Sequence, residues 1–345
     1  MTDKHSPPSM SANFSRLYFK IFNMQIQAIY DSVEKDFSEV NQFITSQLSS
    51  DVPLVEKIAQ YIVESGGKRM RPLLVLLTSR ALGEASQDQC KLATIIEFLH
   101  TATLLHDDVV DTSNMRRGRS TANAKWGNAP SVLVGDFLYS RAFQMMVDIG
   151  SVPVMEVLSN ATNVIAEGEV FQLMNCKNPD VSEEAYFEVI KNKTAMLFEA
   201  ASHSSALLAN ASTEQQEALK EYGLQLGLAF QLVDDMLDYI GDAETMGKNV
   251  GDDLAEGKPT LPLIYTMKNG SEEERVLIRK AIRNGDASQL DAICIAVQNS
   301  GALDYTKKQA DLAYQKACDC LGILPGSVYK EALAGLAKLA VQRDK

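Results

Sequence analysis

The chain has 345 residues, 46% of them hydrophobic, and a formal net charge of −12. That length and apolar content can bury a sizeable core, as one large domain or two smaller ones. So acidic a balance argues against nucleic acid as the main partner, because phosphate backbones are bound through basic surfaces. Five scattered cysteines (Cys90, Cys176, Cys294, Cys318 and Cys320) fit no zinc spacing and no disulfide framework, which points to a reducing cytoplasm. No apolar run approaches the roughly 18 residues that would cross a bilayer, so an integral membrane protein is not expected.

Residues 1–23 contain serine and proline and a single acidic residue, Asp3. They read as a disordered leader, with Met24 as an alternative start and a transit peptide as the rival reading. From Met24 the pattern becomes helical, with Ile26, Ile29, Val33, Phe37 and Val40 recurring at spacings of three or four. The segment GGKRMRP (66–72) ends one helix with glycines and opens the next with proline. It gathers Lys68, Arg69 and Arg71 within four residues, a cluster that suits an anion at a helix start.

Residues 97–118, EFLHTATLLHDDVVDTSNMRRG, carry the strongest signal. Asp107 and Asp111 stack one helical turn apart with Asp108 beside them, near the C-terminal end of an apolar run. Like charges repel at that spacing, and the helix dipole disfavours anions there. The arrangement makes sense when a hard cation such as Mg²⁺ sits among the carboxylates. Arg116 and Arg117 follow, and guanidinium groups fork onto phosphate oxygens, so a metal-held phosphorylated substrate is implied. His100 lies two turns below Asp107 on the same face.

Further along, residues 131–147 and 159–174 read as helices, and Ser182 can cap the segment that carries Lys193-Thr194. Ser212 or Thr213 with Gln215 or Gln216, and Ser271 with Glu274, form capping boxes. Residues 217–240 read as a long helix with Gly223 and Gly227 four apart, a spacing that serves close helix contact or leaves room for a ligand. The acidic pattern then recurs as Asp234, Asp235 and Asp238 in FQLVDDMLDY. Two acidic faces pointing at one another would cage several Mg²⁺ ions and a diphosphate. The glycine-rich loop 247–263 holds Lys248, Asp252, Asp253 and Lys258, and its lysines suit closure over a phosphate. No segment alternates with period two, and no repeat or linker interrupts the chain, so one all-α domain is expected.

With these motifs assembled, the sequence resembles the trans-polyprenyl diphosphate synthases. The carriers are GGKRMRP, EFLHTATLLHDDVVDTSNMRRG, SVLVGDFLYSRAFQMM, NVIAEGEVFQLMN, KTAMLFEAA, FQLVDDMLDY, GKNVGDDLAEGKPTLPL and the ending AVQRDK. They span residue 24 to the C-terminus, which makes 24–345 the synthase domain. The resemblance implies a single-domain helical bundle around a deep apolar cavity, the isoprenoid synthase fold. It assigns Asp107, Asp108, Asp111, Asp234, Asp235 and Asp238 to Mg²⁺ at an allylic diphosphate. Arg116, Lys193 and Lys248 match residues that grip that diphosphate, and Lys68, Arg71, His100 and Arg117 match a site for isopentenyl diphosphate. Gln231 and Thr194, with the nearby backbone, match groups that steady a carbocation.

The implied reaction elongates farnesyl diphosphate with successive isopentenyl diphosphate units, in a homodimer, to supply a quinone side chain. Small Ala102 and Thr103, one turn below Asp107, would let a long tail pass, with Phe143, Met145 and Met146 as candidates for the cavity floor. The rivals are a shorter-chain synthase, a terpene cyclase, a His-Asp phosphohydrolase using His106, and a non-catalytic regulatory subunit. A cyclase needs no second diphosphate clamp, a phosphohydrolase needs more histidines, and a regulatory subunit would be expected to have lost aspartates.

Overall fold

The computed structural model describes residues 26–240 and 250–342. Two elements of the sequence reading, the leader 1–23 and Lys248, lie outside them. In chain order the helices are α1 (Glu34–Gln47), α2 (Pro53–Val63), α3 (Met70–Ala81), α4 (Gln87–Val110), α5 (Ala122–Trp126), α6 (Asn128–Ile149), α7 (Val152–Asn175) and α8 (Glu183–Ile190). A π-helical turn, Lys191–Ala195, joins α8 to α9 (Met196–Leu208), and α10 (Thr213–Ile240) follows. The remainder is α11 (Asp252–Ala255), α12 (Leu261–Asn269), α13 (Glu272–Asn284), α14 (Leu290–Asn299), α15 (Ala302–Cys320) and α16 (Val328–Val341). The fold is all-α, as the missing period-two pattern predicts.

One exception is a ribbon of two-residue strands, β1 (Met115–Arg116) and β2 (Arg119–Ser120), paired antiparallel with Arg116 opposite Arg119. Its loop is Arg117-Gly118, with φ of 52° and 72°. Positive φ at both central residues is what a type I′ hairpin requires. Strands this short are invisible to a periodicity argument.

Helix α4 is buried nearly all round, through Leu92, Ile95, Ile96, Phe98, Leu99, Ala102 and Leu105, as expected of a helix at the centre of a bundle. It packs most extensively on α6, and α10 packs on α9 and α15. A main core joins α3, α4, α6, α9, α10 and α16, and smaller cores sit beneath α12–α15. The caps hold as expected. Ser182 accepts from the Ala185 amide, Ser212 and Gln215 bond reciprocally, and Ser271 and Glu274 form a full capping box. What positions the site is that α4 and α10 both end, with their acidic motifs, at one cleft. There the two negative helix ends reinforce the carboxylates and favour cations.

Candidate active site

A cavity of about 620 Å³ opens where α4, α7, the π-turn and α10 meet. Asp107 and Asp111 from the first motif and Asp234 from the second line it together. In the first motif every carboxylate already faces a cationic side chain. Asp108, fully buried, accepts from Arg116 Nε at 2.9 Å and lies 2.7 Å from its Nη2. The hairpin turns the chain back so that Arg116 reaches it. Asp111 receives Lys258 at 3.1 Å, and Asp107 lies 3.9 Å from Lys193, which is anchored on Glu169 at 2.7 Å. Burial raises the Asp107 pKa against the pull of Lys193. Burial works against the charges of Lys193 and Lys258 too, but the surrounding carboxylates outweigh it and hold both ammonium groups above their ordinary pKa.

The π-turn aims Lys193 and Thr194 into this space, since both line the cavity. Its widened backbone presses on α10 at Gly227, where a Cβ would fall 2.5 Å from Ala195 Cα. The glycine spacing in α10 therefore serves close helix contact. From Thr194 a hydrogen-bonded chain runs inward: its hydroxyl donates to Gln231 Oε1 at 2.9 Å, and Gln231 Nε2 donates to Asp235 Oδ1 at 2.7 Å. The other Asp235 oxygen accepts from Tyr186 at 2.5 Å. Asp235 is only 3% exposed, and burial, then the charge of Asp253, pushes its pKa up to about 8. Asp238 is fully buried and accepts from the Asp253 amide at 3.3 Å. The second motif thus presents Asp234 to the cleft and turns Asp235 and Asp238 into the protein.

The basic cluster forms the neighbouring wall, with Lys68, Arg71, His100 and Arg117 together on the same cavity. Arg71 stacks 4.2 Å over the Phe198 ring, and its Nη1 lies 3.3 Å from His100 Nε2. A guanidinium only donates, so His100 accepts at Nε2 and carries its proton on Nδ1. Burial, reinforced by Arg71, Arg117 and Arg116, lowers the His100 pKa well below its ordinary value and keeps the ring neutral. Burial likewise brings Arg71 down to about 10. Gly67 makes room for Arg117, because a Cβ there would fall 2.6 Å from the guanidinium carbon.

Thr103 lines the cavity, whereas its neighbour Ala102 is wholly buried in the main core. Met145 and Met146 also lie in that core, and Phe143 packs against it beside Tyr139. Sequence reasoning did not single out Glu97, Glu169 or Tyr186, and it read Lys258 as a loop lysine suited to close over a phosphate, without its link to Asp111. Nothing in the local pattern marks a carboxylate inside an apolar helix such as Glu97. His106 lies 3.2 Å from the Val132 carbonyl and 3.3 Å from Asp136, away from the aspartate cluster, which removes the His-Asp reading.

The donor set on the cavity suits a hard cation, because Asp107, Asp111 and Asp234 offer oxygen ligands only. Yet among the described residues no three acidic, histidine or cysteine side chains are gathered closely enough to hold an ion unaided. The carboxylates of the two motifs therefore need substrate oxygens to complete a coordination shell. Mg²⁺ typically uses one or two carboxylates plus substrate phosphates, and the residues present fit that mode.

Residues 52–297 match the family model described as polyprenyl synthetase. The octaprenyl diphosphate synthase of Escherichia coli K12 is 52% identical, over 93% of this chain and 100% of its own length. The all-trans-nonaprenyl-diphosphate synthase (geranyl-diphosphate specific) of Rhodobacter capsulatus is 50% identical over 92% and 98%. Among solved structures, a polyprenyl synthase from Caulobacter crescentus CB15, complexed with calcium and isoprenyl diphosphate, superposes with a TM-score of 0.90 at 44% identity, covering 93% and 98%. A helical bundle with acidic helix ends and a basic wall on one cleft is the architecture of a prenyltransferase. Within that class the chain belongs to the polyprenyl synthetase family.

Proposed function

We propose that the enzyme is a Mg²⁺-dependent octaprenyl diphosphate synthase that extends farnesyl diphosphate with isopentenyl diphosphate to a long all-trans product. The observation that carries the reading is the pairing of Asp107, Asp111 and Asp234 with the separate basic wall of Arg71, His100 and Arg117 on one cavity. One wall suits an ionising allylic diphosphate and the other a diphosphate that stays intact. The length assignment is supported by relatives near 50% identity, which make eight- or nine-unit chains, while geranylgeranyl synthases match at about 33%. A nine-unit product is therefore the second reading. Both aspartate motifs are complete, which speaks against a regulatory subunit.

Asp107, Asp111 and Asp234 would hold the metal ions together with the allylic diphosphate oxygens. Bound Mg²⁺ would supply Lewis-acid stabilisation of the departing diphosphate. Arg116, Lys193 and Lys258, released from their carboxylates, would bind the same oxygens as negative charge develops there. Asp235 is proposed to act through Gln231, fixing Thr194 beside the allylic carbon, where their oxygens steady the cation. Arg71, Arg117 and Lys68 would hold isopentenyl diphosphate with its double bond facing that cation, and neutral His100 would donate without adding charge. Leu104, Phe198, Phe230 and Leu237, which border the same cavity, would exclude water that could quench the cation. The released diphosphate would take the proton lost after condensation.

Thr103, rather than Ala102, borders the open cavity and is proposed to mark the tail's path, with Phe143, Met145 and Met146 yielding as it lengthens. Helices α6 and α7 expose Leu133, Val147, Val152, Val170, Leu173 and Met174, an apolar surface that suits the proposed homodimer. No helix among the described residues is long and apolar enough to cross a membrane, and a cytoplasmic enzyme supplying quinone side chains is the proposed setting. One incubation tests the core of this: farnesyl diphosphate, labelled isopentenyl diphosphate and Mg²⁺, with chromatography of the dephosphorylated products. Octaprenol is expected, products stopping at geranylgeraniol would reject the long-chain assignment, and no incorporation would reject the activity. Thr103→Phe should shorten the product; an unchanged length would move the tail away from that residue.

A further inference from the structure

Glu97 is a buried carboxylate that the proposed chemistry leaves without a task. It sits on α4 one turn before His100, at 8% exposure, inside the basic wall. Its Oε1 lies 3.8 Å from Arg69 Nε, and its Oε2 is buried with no hydrogen-bond partner. Arg71 mirrors it, with a buried Nε that is also without one. Burial raises the Glu97 pKa, and the charges of Arg69, Arg71 and Arg117 act against it to favour the carboxylate. Arg69 and Arg117 are both held in the left-handed region, at φ of 43° and 52°, so two of the three converging guanidiniums stand on strained backbone. Such a cluster repels itself when no anion is bound, and a buried charge without a counterion is costly.

We propose that Glu97 is a positioning residue of the isopentenyl diphosphate site: it is the internal counterion that keeps Arg69, Arg71 and Arg117 converged on the diphosphate position. It also sets the charge of the pocket. It offsets one of the positive charges that Lys68, Arg69, Arg71 and Arg117 bring to this wall of the cavity. Glu97 borders the same cavity as Arg69, Arg71 and Arg117, so the carboxylate and the guanidiniums meet at the wall where phosphate oxygens would enter. This inference rests on the proposed assignment of Lys68, Arg71, His100 and Arg117 to isopentenyl diphosphate.

The test is calorimetric titration of the full chain with isopentenyl diphosphate alone, joined to steady-state kinetics against each substrate. Glu97→Gln is expected to weaken isopentenyl diphosphate about tenfold or more while leaving the KM for farnesyl diphosphate within about twofold. Arg69→Gln added to Glu97→Gln restores the charge balance and is expected to recover much of the loss. Glu97→Asp keeps the charge but withdraws it by one methylene. It is expected to lose about threefold, and it decides the matter if the Gln protein does not fold. Wild-type or tighter binding in the folded Gln variant, or wild-type binding in the Asp variant, overturns the role of Glu97. Arg117→Gln separates the two assignments: weakened binding of farnesyl diphosphate with isopentenyl diphosphate unaffected would overturn the site reading itself, and this inference with it.

Discussion

The two aspartate motifs share a spacing and are held in opposite ways. In the first, Asp107, Asp108 and Asp111 face Lys193, Arg116 and Lys258, so charge is met by charge. In the second, Asp235 is held by Tyr186 and Gln231, and Asp238 takes the Asp253 amide, so those carboxylates are fixed by neutral donors. Salt-bridged carboxylates can exchange one cation for another with little loss. A buried carboxylate satisfied by hydrogen bonds is part of the framework. The same five-residue pattern therefore yields an exchangeable half and a structural half, with Asp234 alone of its motif facing the cleft.

The comparison breaks most visibly at the cleft-facing acids. Asp107→Ala or Asp234→Ala is expected to lower kcat at least about 1000-fold in isopentenyl diphosphate incorporation; near-normal turnover in either would reject the shared cleft. Lys258→Ala should reduce kcat/KM for farnesyl diphosphate roughly 100-fold and leave the KM for isopentenyl diphosphate unchanged. Equal effects on both substrates would mean that Lys258 supports the fold and not one diphosphate.

The structural half is probed by stability. Tyr186→Phe removes the donor to buried Asp235 and should cost about 1–3 kcal/mol in denaturant unfolding; a neutral result would show that Asp235 finds another partner. A pH series gives the smallest effect. The Asp235 pKa rises from 3.8 to about 8 on folding, through burial and then Asp253. The folded state therefore binds the proton more tightly, and that stability is present at low pH and lost as pH rises through about 8. The metal-free protein should melt roughly 5 °C lower at pH 8.5 than at pH 6. Mg²⁺ with inorganic pyrophosphate should reverse most of the fall. A flat profile would place Asp235 in a more solvated setting.

Much of this was legible in the chain. The helix ends at Val110 and Ile240, the caps at Ser182, Ser212 and Ser271, and the meeting of two acidic motifs follow from spacing and from the cost of massed like charges. Which carboxylates face the cleft was not legible. Spacing puts Asp234, Asp235 and Asp238 near one face, but small rotations of α10 decide which are buried, and those depend on close contact between Gly227 and the π-turn. The partner of Lys258 was not legible because Asp111 is 147 residues away. Glu97 was missed because its neighbours come from the 66–72 turn and the hairpin, and no periodicity within α4 announces them. Nor was it legible that two lysines and an arginine would occupy the acids of the first motif, because Lys193 and Lys258 lie far from it in sequence.

That occupancy bears on turnover. Lys258 crosses from the segment after the second motif to Asp111 at the end of the first, and Lys193 returns to Glu169 and Asp107. The cleft thus behaves as an ion exchanger whose resting counterions are its own side chains. On the proposed assignment, each pyrophosphate formed would compete with tethered carboxylates for the same lysines, at the high effective concentration that tethering confers. A leaving group otherwise held tightly by metals and cations would then be eluted from within, which a synthase making one long chain through repeated condensations needs at every round.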